Sequence, residues 1–384
     1  EGLMVSLFVL ILCTVVGGTI VVLHLVMYTG LFLSAARAKC LGGVVDSRGL
    51  RATVVVPARD EEQLLPRLLL SLEKQTVQDF FIVLVNDRSS DRTGEVMAQF
   101  VIKHADRAQV VTLTDEPEIG NPKLNALVHG VDRADTDLIL FTDADCVVPP
   151  TWVAEVGSCF RDERLGVVLG PIETRKEGTL LSVFHAFDHI FKYSYTAGCA
   201  GIGMPTGGFG NNLTVRKETL DAIGGLRSIE VTSTEDAALI SRVRALTDWQ
   251  AKALYARAVT VVTEAQKSWS ALTVQELRWH TGGLFSPDVK TRLCYGFIMI
   301  YLTLSVLAVP FCFALPVLWL LPAISFVTMS LMAIISGILT RQPPLSYWLP
   351  LIPFILLSMV YNSYLTFKAL LRPHLVWKGT KLDL

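Results

Sequence analysis

At 384 residues and 42.2 kDa, the chain has room for one large domain, or for one domain and a bundle of membrane helices. A net charge of −1 and a pI near 6.7 provide no basic field, and no run interleaves arginine with aromatic residues, so nucleic acid is excluded as a partner. None of the seven cysteines forms a CxxC pair, which excludes a zinc knuckle or a disulfide framework and predicts buried, reduced thiols. Hydrophobic residues make up 51% of the chain, and they gather at its two ends while the middle has the mixture of a soluble enzyme.

From Leu3 to Leu33 the sequence is apolar, with no Asp, Glu, Lys or Arg and His24 its only histidine. That length predicts a transmembrane helix within residues 1–35. The run is too long for a cleaved signal peptide, and no basic segment precedes it. Arg37, Lys39, Arg48 and Arg51 follow, so the positive-inside bias puts the next region in the cytosol and the N-terminus outside. Residues 36–290 read as α/β. Strands are predicted at Thr53–Pro57, Phe80–Val85, Val110–Leu113 and Leu138–Thr142, with helices at Glu62–Gln75 and Leu124–Val131. Such alternation implies a mostly parallel sheet, with ligands bound beyond the carboxyl ends of its strands. Asp87, Asp143 and Asp145 stand at those ends.

Residues 291–371 are apolar again, in stretches at Cys294–Leu315, Val317–Leu339 and Trp348–Leu370 broken by Pro310, Pro316, Pro322, Pro350 and Pro353. Residues 372–384 form a polar tail.

Several side chains carry chemistry. Asp143 and Asp145, two apart at a strand end, can share a hard divalent ion, Mg²⁺ or Mn²⁺, that neutralises a diphosphate leaving group. Asp87 is placed to hydrogen-bond a ribose or base, and the missing glycine fingerprint after the first strand argues against a dehydrogenase. Lys123, just ahead of a helix, can meet phosphate or base oxygens. In Thr232-Ser233-Thr234-Glu235-Asp236, Thr234 or Ser233 can cap a helix, and Glu235 or Asp236 can serve as a general base. Gln275-Glu276-Leu277-Arg278-Trp279-His280-Thr281-Gly282-Gly283 reads as an amphipathic helix ending at its glycines. Gln275 and Arg278 share a face. Arg278 suits a diphosphate and Trp279 a sugar ring, although a Trp/Arg pair can equally anchor at a membrane surface.

Taken in order, Pro57-Ala58-Arg59-Asp60-Glu61, Asn86-Asp87, Asp143-Ala144-Asp145, Thr234-Glu235-Asp236, Gln275-x-x-Arg278-Trp279 and Trp377-Lys378-Gly379-Thr380-Lys381 resemble the membrane-embedded inverting glycosyltransferases of family 2. That group includes polysaccharide synthases and lipid glycosyltransferases. The resemblance implies a GT-A type nucleotide-sugar-binding domain set between N- and C-terminal transmembrane helices, in a multi-pass protein of the plasma or inner membrane with its catalytic domain in the cytosol. It implies a metal-dependent hexosyltransferase that takes a UDP-sugar donor. Pro57, Arg59, Glu61, Asp87, Lys123, Asp143 and Asp145 are implied donor-site residues, with Asp145 the direct metal ligand. Asp236 is implied as the base and Gln275, Arg278 and Trp279 as site residues. Trp377, Lys378 and Thr380 are implied in a gating segment, and Gly207–Arg216 resembles the glycine-rich strand before the acceptor helix. Asp60, where Asn is frequent, and the lack of a basic run after Trp279 are departures. The second departure, with the short membrane part, favours a membrane lipid or short glycan acceptor over a processive polysaccharide synthase. If Trp377 reaches a cytosolic site, three full C-terminal crossings are one too many, so Trp348–Leu370 is expected to be a proline-broken hairpin.

Overall fold

The computed structural model describes residues 2–37, 50–342, 347–371, 375–377 and 380–381. Between helix α1 (Gly2–Arg37) and the C-terminal helices lies a seven-stranded sheet. Its strands are β1 (Ala52–Ala58), β2 (Phe81–Asp87), β3 (Ala108–Leu113), β4 (Leu138–Phe141), β5 (Leu165–Leu169), β7 (Leu213–Arg216) and β8 (Gln250–Ala253), in the order β3-β2-β1-β4-β7-β5-β8. Every pairing is parallel except those that β7 makes with β4 and β5. A small parallel pair, β6 (Ile172–Thr174) with β9 (Val261–Thr263), sits beside it.

Alternation along the strands divides the core in two. Val55, Val83, Val85, Ile139 and Phe141 face helix α4 (Pro122–Val131) and the long helix α6 (Leu180–Gly201). Val54, Val56, Ile82, Leu84, Leu138 and Leu140 face α2 (Leu65–Glu73), α3 (Thr93–Lys103) and α5 (Trp152–Cys159). Since β1, β2 and β4 run parallel, Asp87 and Asp143 emerge on one edge. The predicted strands stand where expected. Helix α2 is shorter than Glu62–Gln75, because Pro66 occupies its first turn and the preceding residues form a tight turn closed by Leu64 N–H on Glu61 O (3.1 Å). The six described cysteines are unpaired.

Short helix α7 (Lys217–Ala222) and α8 (Glu235–Leu246) complete the middle, and α9 (Trp269–Leu284) leads into α10 (Val289–Ala308), α11 (Leu320–Leu339) and α12 (Leu351–Leu370). Among the described residues, four segments are long and apolar enough to cross a membrane: Leu7–Arg37, Val289–Phe313, Pro316–Leu339 and Leu351–Leu370. Pro310 and Pro316 do interrupt helix, in two 3₁₀ turns between α10 and α11. The expected hairpin at Trp348–Leu370 is overturned, since α12 is one continuous helix. Pro350 is its N-cap and Pro353 lies in its first turn, where a missing N–H costs no intrahelical bond.

Helix α12 lies along α9. Tyr361 touches Thr273 (3.2 Å) and Trp269 (ring centroids 6.3 Å), while Leu365, Ala369 and Leu375 bury against Leu277 and Leu284. Helix α1 is fixed to α6 by glycines. A Cβ on Gly30 would stand 2.0 Å from Gly198 O, and one on Gly201 would stand 1.8 Å from Gly30 O. Only bare backbones can approach so closely. We expect Gly30→Ala to part the two helices and to lower the unfolding temperature in detergent, at a cost of about 1–3 kcal/mol. Gly18→Ala, on the same helix with nothing within 4 Å, should be neutral. Equal unfolding temperatures for the two variants would remove this crossing as the anchor of α1.

Candidate active site

Asp143 stands two residues past β4, and Lys123, in the first turn of α4, reaches it at 2.8 Å and Glu235 at 3.5 Å. Asn121 caps α4 by accepting from Leu124 N–H, and its amide donates to Thr232 O (2.9 Å) and to Glu235 (3.4 Å). The starts of α4 and α8 are thereby tied together. Burial alone would lower the Lys123 pKa, but the carboxylates of Asp143 and Glu235 hold it above the ordinary lysine value. Burial would likewise raise Glu235, yet Lys123 and Arg278 bring it below the usual carboxylate range.

Asp145 is held loosely, by the Cys146 thiol at 3.5 Å and the Thr263 hydroxyl at 3.4 Å. Burial first, then the carboxylates of Asp143 and Glu61, push it up to about 6. Hard oxygen ligands crowded into mutual repulsion suit a divalent cation.

Asp236 lies in the first turn of α8. One carboxylate oxygen accepts from Gly210 N–H and the other from Ala237 N–H, each at 2.8 Å. Burial, then the neighbouring Glu235 carboxylate, push it up to about 6 against Lys123 and those two backbone donors. The expected cap is not formed. Thr234 occupies the N-cap position without a side-chain bond, and Ser233 donates instead to Arg278 O at 2.8 Å.

That bond sutures α8 to α9. Helix α9 begins at the cap Ser268, whose hydroxyl accepts from Ala271 N–H (3.1 Å), and it does not stop at Gly282-Gly283 but runs to Leu284. The glycines serve close approach rather than termination. A Cβ on Gly282 would meet Thr234 Oγ1 at 2.4 Å, and one on Gly283 would meet the Tyr295 ring at 2.7 Å. Similarly, the stretch expected as a glycine-rich strand becomes strand only at Leu213, after a 3₁₀ turn at Gly210–Asn212.

Under Trp279 lies a buried polar cluster from α6 and α9. Lys192 bridges Asp188 (2.7 Å) and Glu276, with its ammonium 5.3 Å from the Trp279 ring centre. His185, His189 and Glu276 are close enough together to hold a metal ion, but the hydrogen bonds argue otherwise. Gln266 N–H donates to His185 Nδ1 (3.4 Å), so His185 Nε2 carries the proton and donates to His189 Nε2 (3.1 Å). His189 Nδ1–H then donates to Thr174 Oγ1 (2.6 Å). Burial keeps both imidazoles neutral, with His185 lowered to about 4. The chain of bonds holds the His189 ring 5.6 Å from that of Trp279.

Two cavities meet here. A small polar one of about 70 Å³ is lined by Lys123, Asp143, Asp145, Glu235, Gln275 and Arg278. A larger one of about 260 Å³ is walled by α1, α6, α10 and α11, with Ile20, Met27, Ile298, Leu302 and Met329 among its apolar side chains. Phe209, Thr234, Asp236 and Trp279 line both. The sequence-predicted residues at Asp143, Asp145, Lys123, Glu235, Asp236, Gln275, Arg278 and Trp279 therefore come together. Pro57, Arg59, Glu61 and Asp87 line neither cavity. Pro57 is inside β1, Glu61 is within electrostatic reach of Asp145, and Asp87 is buried beneath Arg88, which donates to it at 2.8 and 3.3 Å. The Trp377 backbone pairs with Thr380 in a two-stranded ladder, β10 (Val376–Trp377) with β11 (Thr380–Lys381). Lys378 and the side chains of Trp377 and Thr380 lie outside the described residues.

Sequence reasoning passed over Asn121, Thr263, His189 and the Gly210 amide. His185 and His189, four apart on one helix, were a visible signal; a backbone amide leaves none.

The model described as Glycosyl transferase family 21 matches residues 20–384. A probable glycosyltransferase of Bacillus subtilis (strain 168) is 27% identical over 243 residues, 61% of this chain and 56% of that protein. The poly-β-1,6-N-acetyl-D-glucosamine synthase of Staphylococcus epidermidis (strain RP62A) is 25% identical over 255 residues, 60% of this chain and 58% of that protein. The matched region thus spans just over half the length of these relatives. A mannosyltransferase of Pyrobaculum calidifontis, solved with GDP-Man and Mn²⁺, has a TM-score of 0.51 at 16% identity, covering 90% of this chain and 98% of that one. That likeness shows the fold, of GT-A type. The matching model is of family 21, where the motifs resembled family 2; a polysaccharide synthase is among the relatives, as that resemblance implies.

Removal of the Lys123 charge should leave Asp143 and Glu235 facing each other uncompensated. Lys123→Met is expected to cost roughly 3 kcal/mol in thermal unfolding, and adding Asp143→Asn should recover part of it. An unchanged unfolding temperature for the single variant would deny Lys123 this bridging role.

Proposed function

Because this chain belongs to glycosyltransferase family 21, we propose that it moves a hexose from a UDP-sugar to the hydroxyl of a membrane lipid, with inversion at the anomeric carbon. One observation carries the reading. Asp236 and Trp279 line both a polar cavity walled by carboxylates, lysine and arginine and an adjoining apolar cavity between candidate membrane helices. A donor diphosphate fits the first and a lipid alcohol the second. The relative named as a polysaccharide synthase supplies the rival reading of processive synthesis, but a growing glycan would find few polar partners along Ile20, Met27, Ile298, Leu302 and Met329.

The chemistry follows from the placement. The acceptor oxygen attacks the anomeric carbon, the bond from that carbon to the diphosphate oxygen breaks, and UDP leaves with the electron pair. The acceptor proton passes to Asp236, whose two backbone donors fix the carboxylate and leave each oxygen a lone pair. Arg278 and Lys123 meet the negative charge that develops on the leaving group. Asp143 and Asp145 would hold Mg²⁺ or Mn²⁺, which when bound neutralises diphosphate. Glu235 is engaged with Lys123 and Asn121, which leaves Asp236 as the base.

For the membrane, the reading puts α1, α10 and α11 across the bilayer and α12 along its surface, beside α9 on the side of the active site. Helix α12 has the lowest mean hydropathy of the four candidates, 1.2 against 2.1 or more. Its exposed Ile352, Leu356, Val360, Phe367 and Leu370 form one apolar stripe. Trp377 then lies on the cytosolic side with the catalytic domain, and the parity problem disappears.

The test is turnover of UDP-hexoses with and without membrane lipid, followed by mass analysis. One sugar added to an extracted lipid is expected; a ladder of sugars would select the polymer reading. Asp236→Asn should bind UDP-sugar nearly normally and lose roughly 10²–10⁴-fold in rate, whereas Glu235→Gln should lose less. A base must be ionised, so the wild-type rate should fall as pH drops through about 6, the value to which burial raises Asp236. Near-wild-type transfer by Asp236→Asn would rule out the assignment. Chelation should abolish transfer until Mg²⁺ or Mn²⁺ is restored, and Asp145→Ala should not be rescued by either ion. Full activity in chelator would remove the metal from the reaction.

A further inference from the structure

We infer that Glu264, held between Arg67 and Arg175, is a donor-specificity residue. One oxygen of its carboxylate accepts a hydrogen bond from a hydroxyl of the transferred hexose, and its charge turns hexuronates away. The inference rests on the glycosyltransferase reading and deepens it at the donor, where neither the sequence motifs nor the mechanism above uses Glu264.

A short ladder places this side chain. Strands β6 and β9 run parallel with Thr174 opposite Thr263, and Arg175 N–H extends the pairing by donating to Thr263 O (2.8 Å). Glu264, the residue after β9, therefore leaves the ladder beside Arg175, whose Nε lies 2.8 Å from Glu264 Oε1. Arg67, in the first turn of α2, reaches the same oxygen at 2.7 Å. Both guanidinium groups are spent on Oε1, and no hydrogen bond among the described residues engages Oε2. Glu264 lines the small polar cavity and the two arginines do not, so the carboxylate stands between them and it. Both arginines are exposed to solvent, and ion pairs of that kind add little to stability, so holding the fold together does not account for the triad.

Its place along the donor follows from its neighbours. One residue back, the Thr263 hydroxyl lies 3.4 Å from Asp145, so the wall at Glu264 adjoins the carboxylates that face the diphosphate. A hexose joined to that diphosphate, with its anomeric carbon toward Asp236, lies against Glu264. The rest of the wall has the same polarity. Asn211 Oδ1 and Gln275 Oε1 belong to residues that line the cavity, and both are buried without a hydrogen-bond partner among the described residues. Buried acceptors call for donors, and an ionised carboxylate accepts only. The hydroxyls of an uncharged hexose supply those donors. A carboxylate at C6 would meet the charges of Glu264 and Asp236 instead. Among the described residues, Lys123 and Arg278 are the cavity's only Lys or Arg, and both face the leaving diphosphate.

The experiment uses the full chain in nanodiscs and follows UDP release. The donors are UDP-glucose and UDP-galactose, their deoxy forms at C2, C3, C4 and C6, and UDP-glucuronate and UDP-galacturonate. No turnover of any donor fails the transferase reading itself; turnover without the following pattern fails the subsite alone. Wild type should lose on the order of 10- to 100-fold in kcat/KM for the deoxy donor at one ring position. It should turn over the hexuronate on the order of a hundredfold more slowly than the matching hexose. Glu264→Ala should remove the penalty at that deoxy position. Glu264→Gln keeps the shape, loses the charge and releases the two arginines, so it should gain on the order of tenfold on the hexuronate. Arg175→Met breaks the same ion pair but leaves the carboxylate, so both donor ratios should stay as in wild type. A purely structural triad would instead give Glu264→Gln and Arg175→Met the same fall in unfolding temperature and slow every donor alike. Hexuronate turnover by wild type at the hexose rate, unchanged ratios in both Glu264 variants, or the same change of ratio in Arg175→Met would overturn the assignment.

Discussion

The ammonium of Lys123 is the point on which the site depends. It stands between Asp143, which the sheet delivers, and Glu235, which opens α8, so strand end and helix start are held at one distance by one buried charge. Two carboxylates this close repel unless a cation separates them. With Glu235 drawn toward Lys123, the adjacent Asp236 turns to the Gly210 and Ala237 amides and reaches the junction of the two cavities. The same bridge thus assigns different tasks to neighbouring acids, one paired and one left with basic lone pairs.

The second constraint is contact between backbones. Gly30, Gly198 and Gly201 let α1 touch α6, and Gly282 lets α9 touch the start of α8. Helix α6 is therefore shared: one side packs on the sheet, another on the apolar helix α1, and its polar residues support Trp279 from below. Through these contacts an α/β domain and a bundle of apolar helices line two adjoining cavities that share Phe209, Thr234, Asp236 and Trp279.

Much of this was legible in sequence where the signal is local. The apolar strands that lead to Asp87 and Asp143 were readable because a buried strand must be continuously apolar and its end must be polar. The readings that failed concern residues whose role depends on a distant partner. Gly282 and Gly283 resemble a helix end until Thr234 and Tyr295 are seen against them. Thr234 looks like a cap until Ser233 is seen bonded to Arg278 O. Pro350 and Pro353 look like breaks until the helix is found to start at them.

By itself the sequence determined a mostly parallel α/β domain between apolar ends, the Asp143/Asp145 pair and the Gln275–Trp279 helix, because spacing and polarity along a chain are enough for those. Only the tertiary structure decided that Glu235 is neutralised while Asp236 is not, that Asp87 lies under Arg88 away from both cavities, and that His24 of the first helix faces Tyr195. Each of these is set by which charges and hydrogen-bond donors arrive from elements far along the chain or from an adjoining turn, and linear order does not encode that encounter.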